Sequence, residues 1–330
     1  MIARRRVGID VGGTKALGVA LGADGAVVAE QRRPTPRGEG SLVPLIETLV
    51  ELATSLGVDG ELGIGVPGLV TRAGVLRAAP NLDGVADLDV RGLVEAAFAV
   101  RGGPVPAVAV DNDATCATVA EWRLGAARGA SDVVLVTLGT GIGGGVVANG
   151  EVVRGTSGFA GELGHVVVDP GGPRCPCGRR GCWERYASGS GLATLAREAA
   201  TGHRLGRVAE AAGGPLAVTG EHVLDGARTG DPEALAVVDD FARWVALGLA
   251  NLTNVLDPEV IVLGGGLASG AEVYLAPIRR WFGELLYQPH LRRLPRLEFA
   301  VWGPRAGAVG AALLPGTRGE PSPAGRGSAS

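Results

Sequence analysis

The chain has 330 residues, 46% of them hydrophobic, with 31 basic side chains against 34 acidic ones. That length suits two cores better than one, and so balanced a charge argues against nucleic acid as the main partner. The start, MIARRRVGID, is interrupted by Asp10 before it can supply the apolar run of about 7–15 residues that a secretion signal needs, and no window approaches the roughly 20 apolar residues of a membrane span, so a cytoplasmic protein with no membrane partner is expected.

In chain order, VGIDVGG, ALGVAL and AVVAE read as three short strands with turns at Gly12-Gly13 and Asp24-Gly25. Ser41 is the expected cap of a helix running to about Leu56, where Leu42, Leu45, Ile46, Leu49, Val50 and Leu52 form a helical stripe. ELGIGVPG reads as a strand entering a loop, residues 89–99 as a helix, AVAVDNDA as a strand ending in polar residues, and 113–125 as a helix. DVVLVTLGTGIGGGVVANGEVVRG then reads as strand, Gly-rich hairpin, strand, turn, strand. This segment is like the opening one, and two related sheets or two unrelated hairpins fit equally. The clearest later helix runs from about Asp231 to Leu256. PEVIVLGGG is a strand into a glycine turn, RLEFAVWG a late strand, and 306–314 a short helix. The tail from 316 to 330 is rich in Gly, Pro and Ser and is expected to be disordered.

Gly is abundant, at 56 residues, and clusters after apolar strands. Adjacent glycines let backbone N–H groups reach phosphate oxygens without obstruction by Cβ. The first cluster is Asp10-Val11-Gly12-Gly13-Thr14-Lys15, which adds a hydroxyl, a cation and a carboxylate able to hold Mg²⁺ through water. An ordinary hairpin with a surface lysine fits the same residues. The second runs from Gly139, Thr140 and Gly141 to Gly145, and the third is Gly264, Gly265 and Gly266 at the carboxyl end of a strand. Three such turns point to a nucleotide.

His165, Cys175, Cys177 and Cys182 form a His-x9-Cys-x-Cys-x4-Cys series. Three sulfurs and one imidazole make a closed tetrahedral set suited to structural Zn²⁺. Glu162 and Glu184 flank these ligands, so the ion would gather Glu162, His165 and Glu184 into one polar region suited to polyol hydroxyls. Asn112-Asp113 lies where a strand meets a helix. Helix capping explains both residues, and so does a general base for phosphoryl transfer to a hydroxyl.

DVGGTK, GVPG at 65–68, APNL at 79–82, DNDA at 111–114, LGTGIGGG, GELGH, CPCGRRGCWE and LGGG follow one another in an order that resembles the ROK family (repressors, open reading frames and kinases) from about Val7 to Leu314. APNL and the run through CWERYASG are most similar to the bacterial ATP-dependent glucokinase branch. The resemblance implies an α/β, actin-like ATPase (RNase H-like) fold of two domains with ATP and a hexose in the cleft between them. The boundaries expected are 1–113 plus 304–315 for a small domain and 114–303 for a large domain carrying the zinc knuckle. It also implies Asp113 as catalytic base, and Gly68, Asn81, Asn112, Glu162, His165 and Glu184 as sugar contacts. Gly12 to Lys15 and Gly139 to Gly141 would surround phosphates, Gly264 to Gly266 would face the adenosine, and a homodimer or homotetramer would form. Two departures bear on which sugar is used: no Trp follows APNL, and Asp111 stands where a Glu is usual. An N-acetylhexosamine kinase would use the same residues. A sugar-responsive repressor would carry a helix-turn-helix before DVGGTK, and polyphosphate-dependent relatives generally lack the cysteine knuckle.

Overall fold

The computed structural model describes residues 5–38, 40–79 and 86–317. Asn81 of the APNL stretch and nearly all of the predicted tail lie outside the described residues. The chain divides into two compact units: Met1–Ala120, Arg154–Phe159 and Pro304–Ser330 form unit 1, and Glu121–Val153 with Ala160–Gly303 form unit 2.

In unit 1, β1 (Arg6–Val11), β2 (Lys15–Leu21) and β3 (Val27–Pro34) form an antiparallel meander. Helix α1 (Leu42–Ser55) follows, and β4 (Glu61–Val66) returns to lie parallel to β1. The expected Ser41 cap is not made: Ser41 is already helical at φ −69° and ψ −11°, and its side chain bonds no backbone N–H. The loop expected after β4 is instead a three-stranded antiparallel sheet of β5 (Leu69–Val70), β6 (Val75–Ala78) and β7 (Ala86–Asp89). Asp89 caps α2 (Val90–Val100) by accepting from the Gly92 N–H, and β8 (Ala107–Asn112) pairs parallel to β4. The main sheet order is thus β3-β2-β1-β4-β8. Its apolar core of Val7, Ile9, Val11, Leu62, Ile64 and Val110 packs with Leu49, Leu52 and Val94 of the helices.

Helix α3 (Asp113–Leu124) begins in unit 1 and ends in unit 2. Unit 2 repeats the sheet plan. Strands β9 (Val133–Leu138), β10 (Ile142–Ala148) and the two-residue β11 (Glu151–Val152) are antiparallel. After α4 (Glu184–Ala187), α5 (Gly189–Thr201), α6 (Gly206–Ala211), α7 (Gly220–Arg228) and α8 (Pro232–Leu256), strand β12 (Val260–Gly264) joins β9 in parallel. Helix α9 (Ala271–Leu285) leads to β13 (Arg296–Phe299), giving the order β11-β10-β9-β12-β13. The two five-stranded sheets therefore share one topology, which favours the related-sheets reading of the sequence. The predicted late strand stops at Phe299, short of Gly303. Helix α8 is held at its start by Asp231, whose carboxylate accepts from the N–H groups of Glu233 and Ala234 ahead of Pro232 at the first turn. It runs buried through the core along Phe241, Val245 and Leu249. The chain then returns to unit 1 as α10 (Ala306–Leu313), whose residues are all buried. No helix among the described residues is long and apolar enough to cross a membrane.

Candidate active site

In unit 1 the parallel pairing sets Asp10, Gly65 and Asp111 in one row at the carboxyl ends of β1, β4 and β8. Carboxyl ends of parallel strands are where α/β sheets bind ligands. Asn112 and Asp113 follow at the junction with α3. The Asn112 side chain does two things. Its Oδ1 accepts from the N–H groups of Ala114 (2.8 Å) and Thr115 (3.1 Å), capping the helix, and its Nδ2 donates to the Gly68 carbonyl at 3.1 Å. Gly68 sits at φ +110°, and a Cβ there would meet the Ala78 carbonyl oxygen at 2.0 Å, so only glycine fits. Asp113 Oδ1 accepts from its neighbour's N–H, Ala114, at 2.8 Å.

Beyond β1, Gly12 donates to the Lys15 carbonyl at 3.0 Å and closes the first glycine hairpin. Thr35 braces that hairpin, with its hydroxyl donating to the Gly12 carbonyl at 2.7 Å and its N–H to the Thr14 carbonyl at 3.0 Å. Thr14 and Lys15 are exposed. Asp10, Gly12–Lys15, Gly68, Asn112 and Asp113 are thus all carried by unit 1.

Burial raises the pKa of Asp113, although N–H donors, including that of Ala114, oppose it. Burial, and then the neighbouring charge of Asp113, push Asp10 up to about 7. Its Oδ1 is buried and has no hydrogen-bond partner among the described residues, which fits a group that awaits a cation or its water.

In unit 2 the second and third glycine turns come to the same end of one sheet. Gly264 of β12 pairs with Thr137 of β9, just before Gly139, Thr140 and Gly141. Gly189 donates its N–H to the Gly139 carbonyl at 2.7 Å, and the Ser190 hydroxyl donates to the Thr140 carbonyl at 2.7 Å. Ser190 was not singled out by the sequence. Its only signal is the SGSG run that opens α5.

The ligand atoms of His165, Cys175, Cys177 and Cys182 all lie within 4.8 Å of one another. Cys177 and Cys182 sulfurs stand 3.5 Å apart, far beyond a disulfide bond, and Cys175 Sγ lies 3.8 Å from His165 Nδ1. Sulfurs about 2.3 Å from a tetrahedral ion would be about 3.8 Å apart, so the set fits a metal. Burial pushes the Cys175 and Cys182 thiols up, whereas the Arg179 N–H lowers Cys177. The flanking acids are gathered here too: Glu162 Oε2 lies 3.9 Å from His165 Nε2, and Glu184 Oε1 lies 3.7 Å from His165 Nδ1 and accepts from the Cys175 thiol at 3.1 Å.

A doubled α/β sheet plan with glycine turns at strand ends and an acid at the strand-to-helix junction defines a phosphotransferase-like architecture. The ROK family model matches residues 6–317, and the chain belongs to that family. It is 36% identical over 312 residues to a glucokinase of Streptomyces coelicolor, covering 93% of this chain and 96% of that one. It is 35% identical over 320 residues to an N-acetyl-D-glucosamine kinase of Pectobacterium atrosepticum, covering 93% and 97%. Among solved structures, the ROK glucokinase of Streptomyces griseus in complex with glucose and AMPPNP superposes with a TM-score of 0.77 at 34% identity, covering 93% of this chain and 98% of that one. The fold is accordingly the actin-like ATPase fold of the sugar kinases.

Two outcomes follow. Cys177→Ser should lower bound metal per chain and lower Tm, measured by elemental analysis and thermal melting; unchanged stoichiometry and stability would refute a metal centre. For Asp10, the carboxylate is charged in the unfolded chain above about 3.8 but in the folded chain only above about 7. The folded state therefore binds more protons across that window, and stability falls as pH rises through it. With no nucleotide or divalent cation added, Asp10→Asn should raise Tm at pH 8 and raise it less at pH 5. An equal gain at both pH values would mean that Asp10 does not titrate as described.

Proposed function

We propose that the chain is a glucokinase-type hexose kinase that transfers the γ-phosphoryl group of ATP to the 6-hydroxyl of glucose, giving glucose 6-phosphate and ADP. The observation that carries this reading is Asp113, a carboxylate where the parallel strand β8 meets α3, placed as a general base for a hydroxyl has to be and with its pKa raised by burial. In the reaction the sugar hydroxyl gives its proton to Asp113, its oxygen bonds to the γ-phosphorus, and the bond to the bridging oxygen breaks with its electron pair leaving on ADP. Positioning and charge dispersal do most of the work in such a transfer.

The glycine turns Gly12 to Lys15 and Gly139 to Gly141, with the Thr14 and Thr140 hydroxyls and the Lys15 ammonium, receive the phosphates, and Gly264 to Gly266 face the adenosine. Asp10 would hold Mg²⁺, which supplies neutralising charge beside the triphosphate; its unpartnered buried oxygen supports this. Gly68, Asn81, Asn112, Glu162, His165 and Glu184 meet the sugar. His165, Cys175, Cys177 and Cys182 would hold Zn²⁺, which with four protein ligands supplies rigidity and has no open position for water.

A second reading, an N-acetylhexosamine kinase, is supported by the near-equal identity to the N-acetyl-D-glucosamine kinase. A coupled assay with ATP across glucose, mannose and N-acetylglucosamine separates them: kcat/KM should be highest for glucose, by about tenfold or more over the acetamido sugar. The reverse order would favour the second reading. Asp113→Ala should cut kcat about a hundredfold or more with the fold intact. A loss under about tenfold would remove Asp113 from the base role.

A further inference from the structure

We propose that Arg154 is a positioning residue for phosphoryl transfer, the partly buried counter-ion that fixes Asp111 and, through it, the Asn112–Asp113 turn. The inference rests on the kinase reading above. Nothing in the sequence pairs these residues, which stand 43 positions apart.

The segment Arg154–Phe159 belongs to unit 1, although the chain on both sides of it belongs to unit 2. Three contacts within unit 1 anchor it. Arg72 Nε donates to the Gly155 carbonyl at 2.7 Å. Gly158, at φ +100°, lies so close to the strand backbone that a Cβ would meet the Val70 carbonyl oxygen at 2.5 Å. Arg154 itself supplies the third, with its Nε donating to Asp111 Oδ2 at 2.8 Å. This pair is withdrawn from water, with the side chains of Arg154 and Asp111 only 14% and 6% exposed.

A second nitrogen of the guanidinium and the second oxygen of the carboxylate are also engaged. Arg154 Nη2 donates to Thr317 Oγ1 at 3.1 Å, while the Thr317 hydroxyl donates onward to the Leu314 carbonyl at 2.9 Å. Asp111 Oδ1 accepts from the Asn112 N–H at 3.0 Å. The Asp111 carboxylate is therefore a link, with the Arg154 guanidinium on one oxygen and the backbone that leads into Asn112 and Asp113 on the other.

Charge makes the same point. The buried Cys116 thiol beside this site feels the charges of Asp111, Asp10 and Asp113 and the opposing charge of Arg154. Removing the cation while leaving Asp111 strands a buried carboxylate, which then takes up a proton or turns toward water, and either change loosens the hold of its Oδ1 on the Asn112 N–H. A role confined to stability would lower Tm and leave the turn and the turnover of the folded protein unaltered.

The test uses full-length Arg154→Met, Asp111→Asn and the double variant, each checked for folding by circular dichroism and gel filtration. Hydrogen exchange at the Asn112 amide should quicken about tenfold or more in folded Arg154→Met. On whichever hexose the wild type phosphorylates, kcat per folded molecule should fall about tenfold. Asp111→Asn, which leaves the Arg154 cation without its carboxylate, should lose kcat as Arg154→Met does. The double variant, which strands no charge and keeps an acceptor at position 111, should lie between wild type and Arg154→Met, about three- to tenfold below wild type. If Arg154→Met does not fold, the double variant alone decides. An unchanged Asn112 exchange rate, or a kcat loss below about threefold in the deciding variant, overturns the proposal. A wild type inactive on every sugar would instead fail the kinase reading, and the Asn112 exchange rate would still decide the role of Arg154.

Discussion

Carboxylates packed beside one another away from water each resist ionisation, and unit 1 accepts that cost at the ends of its parallel strands. Asp10 and Asp111 flank Gly65 in one row, with Asp113 just beyond. The apolar residues behind them hold the row in place. A one-residue slip of β1 would put Ile9, fully buried, at the ligand-facing end and drive Asp10 into the core. The same core supplies the stability against which the acids are set. Asp111 is paired with Arg154 at 2.8 Å, and burial raises the pKa values of Asp10 and Asp113. A cation beside Asp10 and Asp113, or a hydrogen-bond donor to them, would favour the ionised carboxylates.

Unit 2 uses the same sheet plan for a different end. Its cysteine loop has few apolar residues of its own, so it is fastened from outside. Trp183 Nε1 donates to the Trp244 carbonyl at 2.7 Å, the Tyr186 ring stacks on Trp244 at 4.0 Å, and the Tyr186 hydroxyl donates to Asp169 Oδ2 at 2.6 Å. Trp244 lies on α8, the most buried long helix of the unit. The loop that presents Glu162, His165 and Glu184 is thereby tied to the core through aromatic contacts as well as through its ligand set.

The strongly periodic elements were legible from sequence because one residue type dominated each signal. The stripe of α1, the Asp231-Pro232 start of α8 and the apolar runs of β1, β8, β9 and β12 all stand within a residue or two of expectation. The cysteine series was legible because its ligands are close in sequence. Three things were not. The small sheet of β5 to β7 has strands of only 2–4 residues, too short for period-2 alternation to register. Ser41 looks like a cap, but the chain is already helical there, so its hydroxyl has no turn to close. Arg154 looks like one more surface arginine after a valine pair. Its role depends on a carboxylate 43 residues earlier, and no local pattern encodes that pairing.

On the proposed function, the geometry at His165 also bears on which sugar the site can distinguish. Its Nδ1 faces the sulfur of Cys175 and its Nε2 faces Glu162. A histidine that ligates through Nδ1 keeps its proton on Nε2, so that nitrogen would be a donor. Glu162 and Glu184, when ionised, only accept. A donor between two acceptors suits neighbouring sugar hydroxyls, each of which can both give and receive a hydrogen bond. It suits an acetamido group as well, since that group offers one N–H and one carbonyl. Polarity at these three side chains therefore separates the two sugars poorly, and discrimination must come from space: an added acetamide has to fit where a hydroxyl would, and in a close-packed wall that requirement is steep.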